Sequence, residues 1–215
     1  MASSIVKKNL TWDNIVLRDY FEIIRIAQED KPDAMDKDVD LIAYIYDVDP
    51  QAIWDLPVME VNELRQSLAF ITVNPKAKSN KITKLTIGET TYKVCDKLED
   101  FSYSQYVDFQ QYWKKPDNMV DVLSVLIVPE GYKYNSGYDV REVKEQILNN
   151  VSVVTATTIC SFFLKSLLRY LRSSLKSLER KVKVMKNMPL PKKKEEAEAM
   201  KKAMGQLQAM EFILT

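Results

Sequence analysis

From Ser152 to Lys186 the chain contains neither proline nor glycine, the two residues that most readily interrupt a helix. One continuous helix is therefore expected there, the longest element of the fold, ended by Pro189 and Pro191. Its second half sets Leu164, Leu168, Leu171, Leu175, Leu178, Val182 and Met185 at alternating spacings of four and three, a heptad seam kept over three heptads. Its first half, from Val151 to Leu164, is fourteen residues without a charge. A membrane span needs about twenty apolar residues, and Lys165 and Arg169 follow, so a buried helix is the reading.

Upstream, the spacing of Leu17, Tyr20, Phe21, Ile24 and Ala27 describes one face of a helix. A second helix follows Met35 and carries Val39, Ile42, Ala43 and Tyr46. Asp49-Pro50 reads as an N-cap with proline at the first helical position, opening a short turn, and Pro57 opens a helix with Val61, Leu64, Leu68 and Ile71 inward. The polar stretch Lys76–Lys81 is a loop or linker. After it, two β-type runs flank Gly88-Glu89, a hairpin signal. Ser102 with Gln105, and Asp139 with Glu142, form capping-box patterns, so helices are expected to start at both places. Between them Met119–Val128 reads as an apolar helix stopped by Pro129, followed by a loop bearing Tyr132, Tyr134 and Tyr138.

The fold class that follows is mainly α: a multi-helix globular domain with a small β-hairpin and a long C-terminal helix carrying the heptad seam. Its expected divisions are an N-terminal helical module at 1–75, a hairpin plus helical core at 76–163, a basic heptad helix at 164–188 and a polar helical tail at 189–215. The tail ends in an apolar patch, Phe212, Ile213 and Leu214.

Composition narrows the chemistry. Only four glycines occur, where average usage of about 7% would supply roughly fifteen, which argues against glycine-rich nucleotide cradles. Histidine is wholly absent. That removes Ser-His and Cys-His nucleophilic pairs and the usual zinc sites. Cys95 and Cys160 stand far apart, outside any paired metal or redox motif, and read as reduced thiols. The first residues lack the apolar stretch of a secretory signal, so the chain reads as cytosolic. Asp36-Lys37-Asp38-Val39-Asp40 imitates the start of a calcium loop, but Leu41 replaces the turn glycine and Asp47 the bidentate glutamate. An acidic cluster at a helix start is the better reading. Catalytic, metal and cofactor residues are accordingly assigned to none.

Charge is unevenly spread. Residues 165–202 hold thirteen Lys/Arg and four acids, a net of +9, whereas 1–164 hold eighteen against twenty-five, a net of −7. On the long helix, Lys165, Arg169, Arg172, Lys176, Lys183 and Lys186 follow the leucine seam one residue later, so a basic stripe edges an apolar one. The stripe is either a solvated face or a surface for an acidic protein partner or self-association. Nucleic acid is a third option, disfavoured because the acidic first part repels phosphates. Phe101, Tyr103, Tyr106, Phe109, Tyr112 and Trp113 recur at helical spacing without interleaved bases, and read as core packing. Tyr132 and Tyr134 are candidate interface anchors.

LTWDNIVLRDYFEIIRI at 10–26, IWDLP at 53–57, IGETTYKV at 87–94, SYSQYVDF at 102–109 and VPEGYKYNSGYD at 128–139 resemble, in their order, proteins encoded among the structural and assembly genes of tailed bacteriophages, crAss-like and related phages of Bacteroidetes in particular. Together these segments span most of 10–170. The resemblance implies a tail assembly chaperone or a head or tail structural component, with other phage structural or tail proteins as partners. It implies a place in the host cytoplasm or in the virion. The basic heptad helix beyond 170 lies outside the likeness. The alternative from another class is a nucleic-acid-associated protein using that helix.

Overall fold

The computed structural model describes residues 10–31, 33–113 and 118–186, without the side chains of 182 and 184–186. The chain divides into two compact units, Met1–Asp96 with Asp100–Phe162, and Lys97–Glu99 with Phe163–Thr215. Among the described residues are eight α-helices and one three-stranded antiparallel sheet, so the fold is mainly α with a small hairpin-based sheet and a long final helix.

In the first unit, α1 (Leu17–Gln28) leads into α2 (Ala34–Tyr46), and the two pack together. Asp33 caps α2 by accepting the Met35 N–H at 2.8 Å. The helix stops where Asp47 takes the left-handed conformation, φ 54°. Val39, Ile42, Ala43 and Tyr46 are all buried, as their spacing predicts. On α1 the expected face is only partly right. Leu17 is buried, and so are Ile23 and Ile26 from outside that face, while Tyr20, Phe21, Ile24 and Ala27 are half-buried. The helix is covered around most of its circumference, so a single-stripe reading finds only one side of its contacts.

Asp49 caps α3 (Pro50–Trp54), accepting the Gln51 N–H at 2.8 Å, with proline at the first turn where its missing N–H costs nothing. Pro57 then starts α4 (Val58–Ser67), and a 3-10 turn, Ala69–Thr72, continues it. Trp12 fastens this turn to the start of α1. Its indole N–H donates to the Val73 carbonyl at 2.6 Å, and its ring meets Tyr20 and Phe70 edge-on.

β1 (Lys84–Ile87) and β2 (Thr90–Val94) form the expected hairpin, with Gly88 at φ +59° in the first turn position. Alternation along β2 buries Tyr92 and Val94 and exposes Lys93. A third strand adds to the expected pair. The apolar run from Met119 is not helical throughout: it divides into α6 (Met119–Leu126) and β3 (Ile127–Pro129), which pairs with β2 so that Val94 faces Ile127 and Tyr92 faces Pro129. The second edge of β2 supplies the partners: the Cys95 N–H donates to the Leu126 carbonyl at 2.7 Å, and the Glu130 N–H to the Thr91 carbonyl at 2.8 Å. Pairing satisfies backbone groups that a helical end would leave over, and β-branched Ile127 and Val128 suit the pleat.

α5 (Tyr103–Tyr112) packs on α6, which packs in turn on α7 (Val140–Asn150). Val122, Leu123, Val125, Leu126 and Ile127 form the centre of the core with Ile147. The Ser102 capping box is complete, whereas at α7 Asp139 caps alone through the Arg141 N–H. The first turns of α8 (Val153–Lys186) belong to the same unit, with Val153, Val154, Ala156 and Ile159 buried. Backbone bonds from Leu17 N–H to Val151, 3.0 Å, and from Val153 N–H to Ile15, 2.9 Å, tie the entrance of α1 to the junction of α7 and α8. The Lys76–Lys81 segment is held rather than free: the buried Thr158 hydroxyl accepts the Lys78 N–H at 2.9 Å, and the Lys78 ammonium pairs with Asp13 at 2.6 Å. Apart from Lys97–Glu99, the described residues up to Phe162 thus fall in one compact unit.

In the second unit α8 continues to Lys186. Among the described residues no helix is long and apolar enough to cross a membrane. The expected tail helix, its Phe212, Ile213 and Leu214, and the seam side chains of Val182 and Met185 lie outside the described residues.

Candidate interaction surfaces

The two prolines that open α3 and α4 decide which side chains reach the core of the helical module. Ile53, Leu64 and Leu68 turn inward beside Val39 and Ile42. Trp54, Val58 and Met59 are left outward together with Met35, and Val58 and Met59 are 75% and 72% exposed. Between α2 and α4 runs a groove in two parts. One, about 720 Å³, is floored by Leu41, Met59, Leu68 and Ile71; the other, about 150 Å³, lies among Met35, Ile53, Trp54, Val58 and Val61. Both parts share Asp38, Asn62 and Arg65, and Asp38 pairs with Arg65 at 2.7 Å. Two flexible methionines, a tryptophan and a valine around a groove make an adaptable apolar surface. Helical spacing alone does not reveal this groove. Its signal lies in IWDLPVM, which holds more apolar side chains than one inward face can bury.

The aromatic helix corrects an expectation. Of its aromatic side chains only Phe109 is buried, whereas Tyr103 is 84% exposed and Tyr106, Val107 and Trp113 also face outward. The inward positions of α5 are taken by Phe109 and, unusually, by Gln105. Gln105 closes the capping box on Ser102 and donates to the Val125 carbonyl at 3.1 Å, so a polar side chain fills the place that an aromatic would otherwise occupy. Trp113 stacks on Phe109 with centroids 5.3 Å apart.

The tyrosine loop divides by role. The Tyr134 hydroxyl donates to Asp108 on α5 at 2.7 Å. Burial first, and then this hydrogen bond to a carboxylate, raise its pKa well above the usual phenol range. Tyr138 accepts the Asn135 N–H at 3.2 Å and meets the ring of Tyr132 edge-on at 6.0 Å. Tyr132 is left exposed, so it is the tyrosine of this loop with a free face.

In the second unit Lys165, Arg169, Arg172 and Lys176 are exposed, as is Lys183 farther along α8. Leu164, Leu171, Leu175 and Leu178 are half-buried, and Leu168 is 50% exposed. The basic stripe therefore faces outward with Leu168 at its edge.

Burial pushes the Cys160 thiol up to about 12 and raises that of Cys95, which makes both poor nucleophiles near neutral pH. The Asp36–Asp40 segment is helical, with Asp38 turned to Arg65 and Asp40 paired with Lys31, so its carboxylates diverge. Among the described residues no group of three His, Cys, Asp or Glu side chains is placed to hold a metal. Compared with family models, curated proteins and solved structures, the chain matches none.

Proposed function

We propose that this chain is a non-enzymatic protein-binding component of a tailed phage, either a tail assembly chaperone or a head or tail structural part. The observation that carries the binding reading is the outward set Met35, Trp54, Val58 and Met59 around the α2–α4 groove. Large apolar side chains exposed together around a groove gain free energy when another surface covers them. The phage assignment is supported by the ordered sequence segments from Leu10 to Asp139.

Two measurements test the two parts. Val58→Asp with Met59→Lys, both at exposed positions, should leave circular dichroism unchanged and abolish co-purification of the chain with its phage partner from infected cells. Retained co-purification counts against the groove. Mass spectrometry of purified particles separates the roles: a structural part is present at fixed copy number, a chaperone is absent from particles and abundant in the lysate.

The exposed stripe Lys165, Arg169, Arg172 and Lys176 supports a second reading, attachment to nucleic acid. Phosphate attraction is strongest at low salt, so an anisotropy titration that shows no binding there removes it.

A further inference from the structure

We propose that the basic face of α8 grips the phosphate backbone of a nucleic-acid duplex without reading its sequence, an inference that rests on the second reading above and names its substrate. Lys165, Arg169, Arg172, Lys176, Arg180 and Lys183 are all exposed. Five steps of three or four residues join them over 18 residues, a mean of about 3.6, which is one turn of an α-helix. The row therefore runs straight along the helix for about 27 Å, at 1.5 Å per residue. At about 100° per residue the six cations fall within an arc of about 80°, which from Lys165 to Lys183 holds nothing else except Glu179. Ser173 and Ser177, also exposed, stand on the adjoining line.

These cations lack the compensation given to bases of the first unit. There Arg25, Lys31, Arg65, Lys78, Lys84 and Lys144 each meet a carboxylate at ion-pair distance. On α8, among the described residues, Arg172, Lys176, Arg180 and Lys183 meet none, and Arg169 donates only to the Lys165 carbonyl at 3.3 Å. A protein interface centres on a desolvated apolar core with aromatic anchors, and a single-strand site interleaves aromatic rings on which bases stack. The arc offers neither. Cations at a regular pitch beside serine hydroxyls instead suit a regular polymer of phosphates. Because the row occupies one side of the helix, it faces one strand of backbone rather than both walls of a major groove. Residues 163–186 also contain no Asn or Gln with which to read adenine.

The test uses the full-length chain and labelled DNA duplexes of about 20 base pairs with unrelated sequences, followed by anisotropy as salt is raised. Affinity should be the same for every duplex, and its logarithm should fall against the logarithm of salt with a slope of about −4 to −6, at about 0.9 per phosphate neutralised. Arg169→Gln with Arg172→Gln, exposed changes to a good helix former, should leave circular dichroism unchanged, flatten the slope by about 2 and weaken binding about tenfold or more at low salt. Lys84→Gln, at a base already paired with Glu130, should leave the slope as it was. Failure to bind any nucleic acid at low salt overturns this inference together with the reading beneath it. Tighter binding to the single strands than to the duplex overturns the inference and leaves that reading standing, as does strong preference for one sequence. A slope that ignores the Arg169 and Arg172 changes places the contact elsewhere on the chain and overturns the role of the row. Displacement of the duplex by poly-glutamate at equal charge concentration transfers the row to an acidic protein and overturns it too.

Discussion

Gln105 joins two structural tasks in one side chain, since it closes the cap of α5 and satisfies the Val125 carbonyl in the core. Gln105→Leu keeps most of the volume but removes both. The expected loss is about 1–3 kcal/mol of unfolding free energy, the cost of an orphaned buried acceptor plus a weakened cap, read as a lower midpoint in urea denaturation. Two tyrosines contribute to the alkaline sensitivity of the fold. Burial, and then the hydrogen bond to Asp19, raise the Tyr44 hydroxyl from 10.0 to about 12, and Tyr134 is raised further by burial and Asp108. The unfolded chain releases these protons near 10 and the folded chain holds them longer. Their contribution is therefore complete below pH 10 and is lost as pH climbs from 10 toward 12. Thermal melts should be flat in this respect up to pH 9 and fall above 10. Tyr44→Phe should make that fall shallower.

Elements with a strong local signal are legible in the amino-acid order alone: the spacing on α2, the proline-capped starts of α3 and α4, the hairpin about Gly88 and the uninterrupted α8. The features that escape such a reading depend on distant partners. Ile127 and Val128 continue a helical pattern, and only the open edge of β2, more than thirty residues earlier, turns them into a strand. The exposure of Tyr103 and Trp113 follows from Gln105 occupying the inward position, a fact that hydrophobic spacing does not encode. The groove formed for a similar reason: Met59 and Val58 are outward because Leu64 and Leu68 already fill the inward side of α4. Thr158 offers a test at this scale. It lies within α8 with no exposure, and its hydroxyl both accepts the Lys78 N–H and donates to the Val154 carbonyl. Thr158→Val preserves shape but strands the amide. Stability should drop by about 1–3 kcal/mol, and hydrogen exchange at the Lys78 amide should quicken while the β1–β2 amides stay protected.

Across the whole molecule the near-zero total charge conceals a segregation along the chain, −7 over 1–164 against +9 over 165–202. A protein of net charge +1 with its charges evenly mixed is held weakly by either type of ion exchanger. This chain should be retained at pH 7 and low salt by both cation and anion resins. Arg169→Glu with Arg172→Glu should selectively reduce retention on the cation resin. The backbone bonds that join Ile15 and Leu17 to Val153 and Val151 also set a schedule for biosynthesis. While the ribosome is still translating the middle of the chain, the amide of Leu17 can bond only to water, because Val151 has not yet emerged. The first helices must wait, incompletely anchored, for well over a hundred residues of synthesis before the knot that fixes them can be tied.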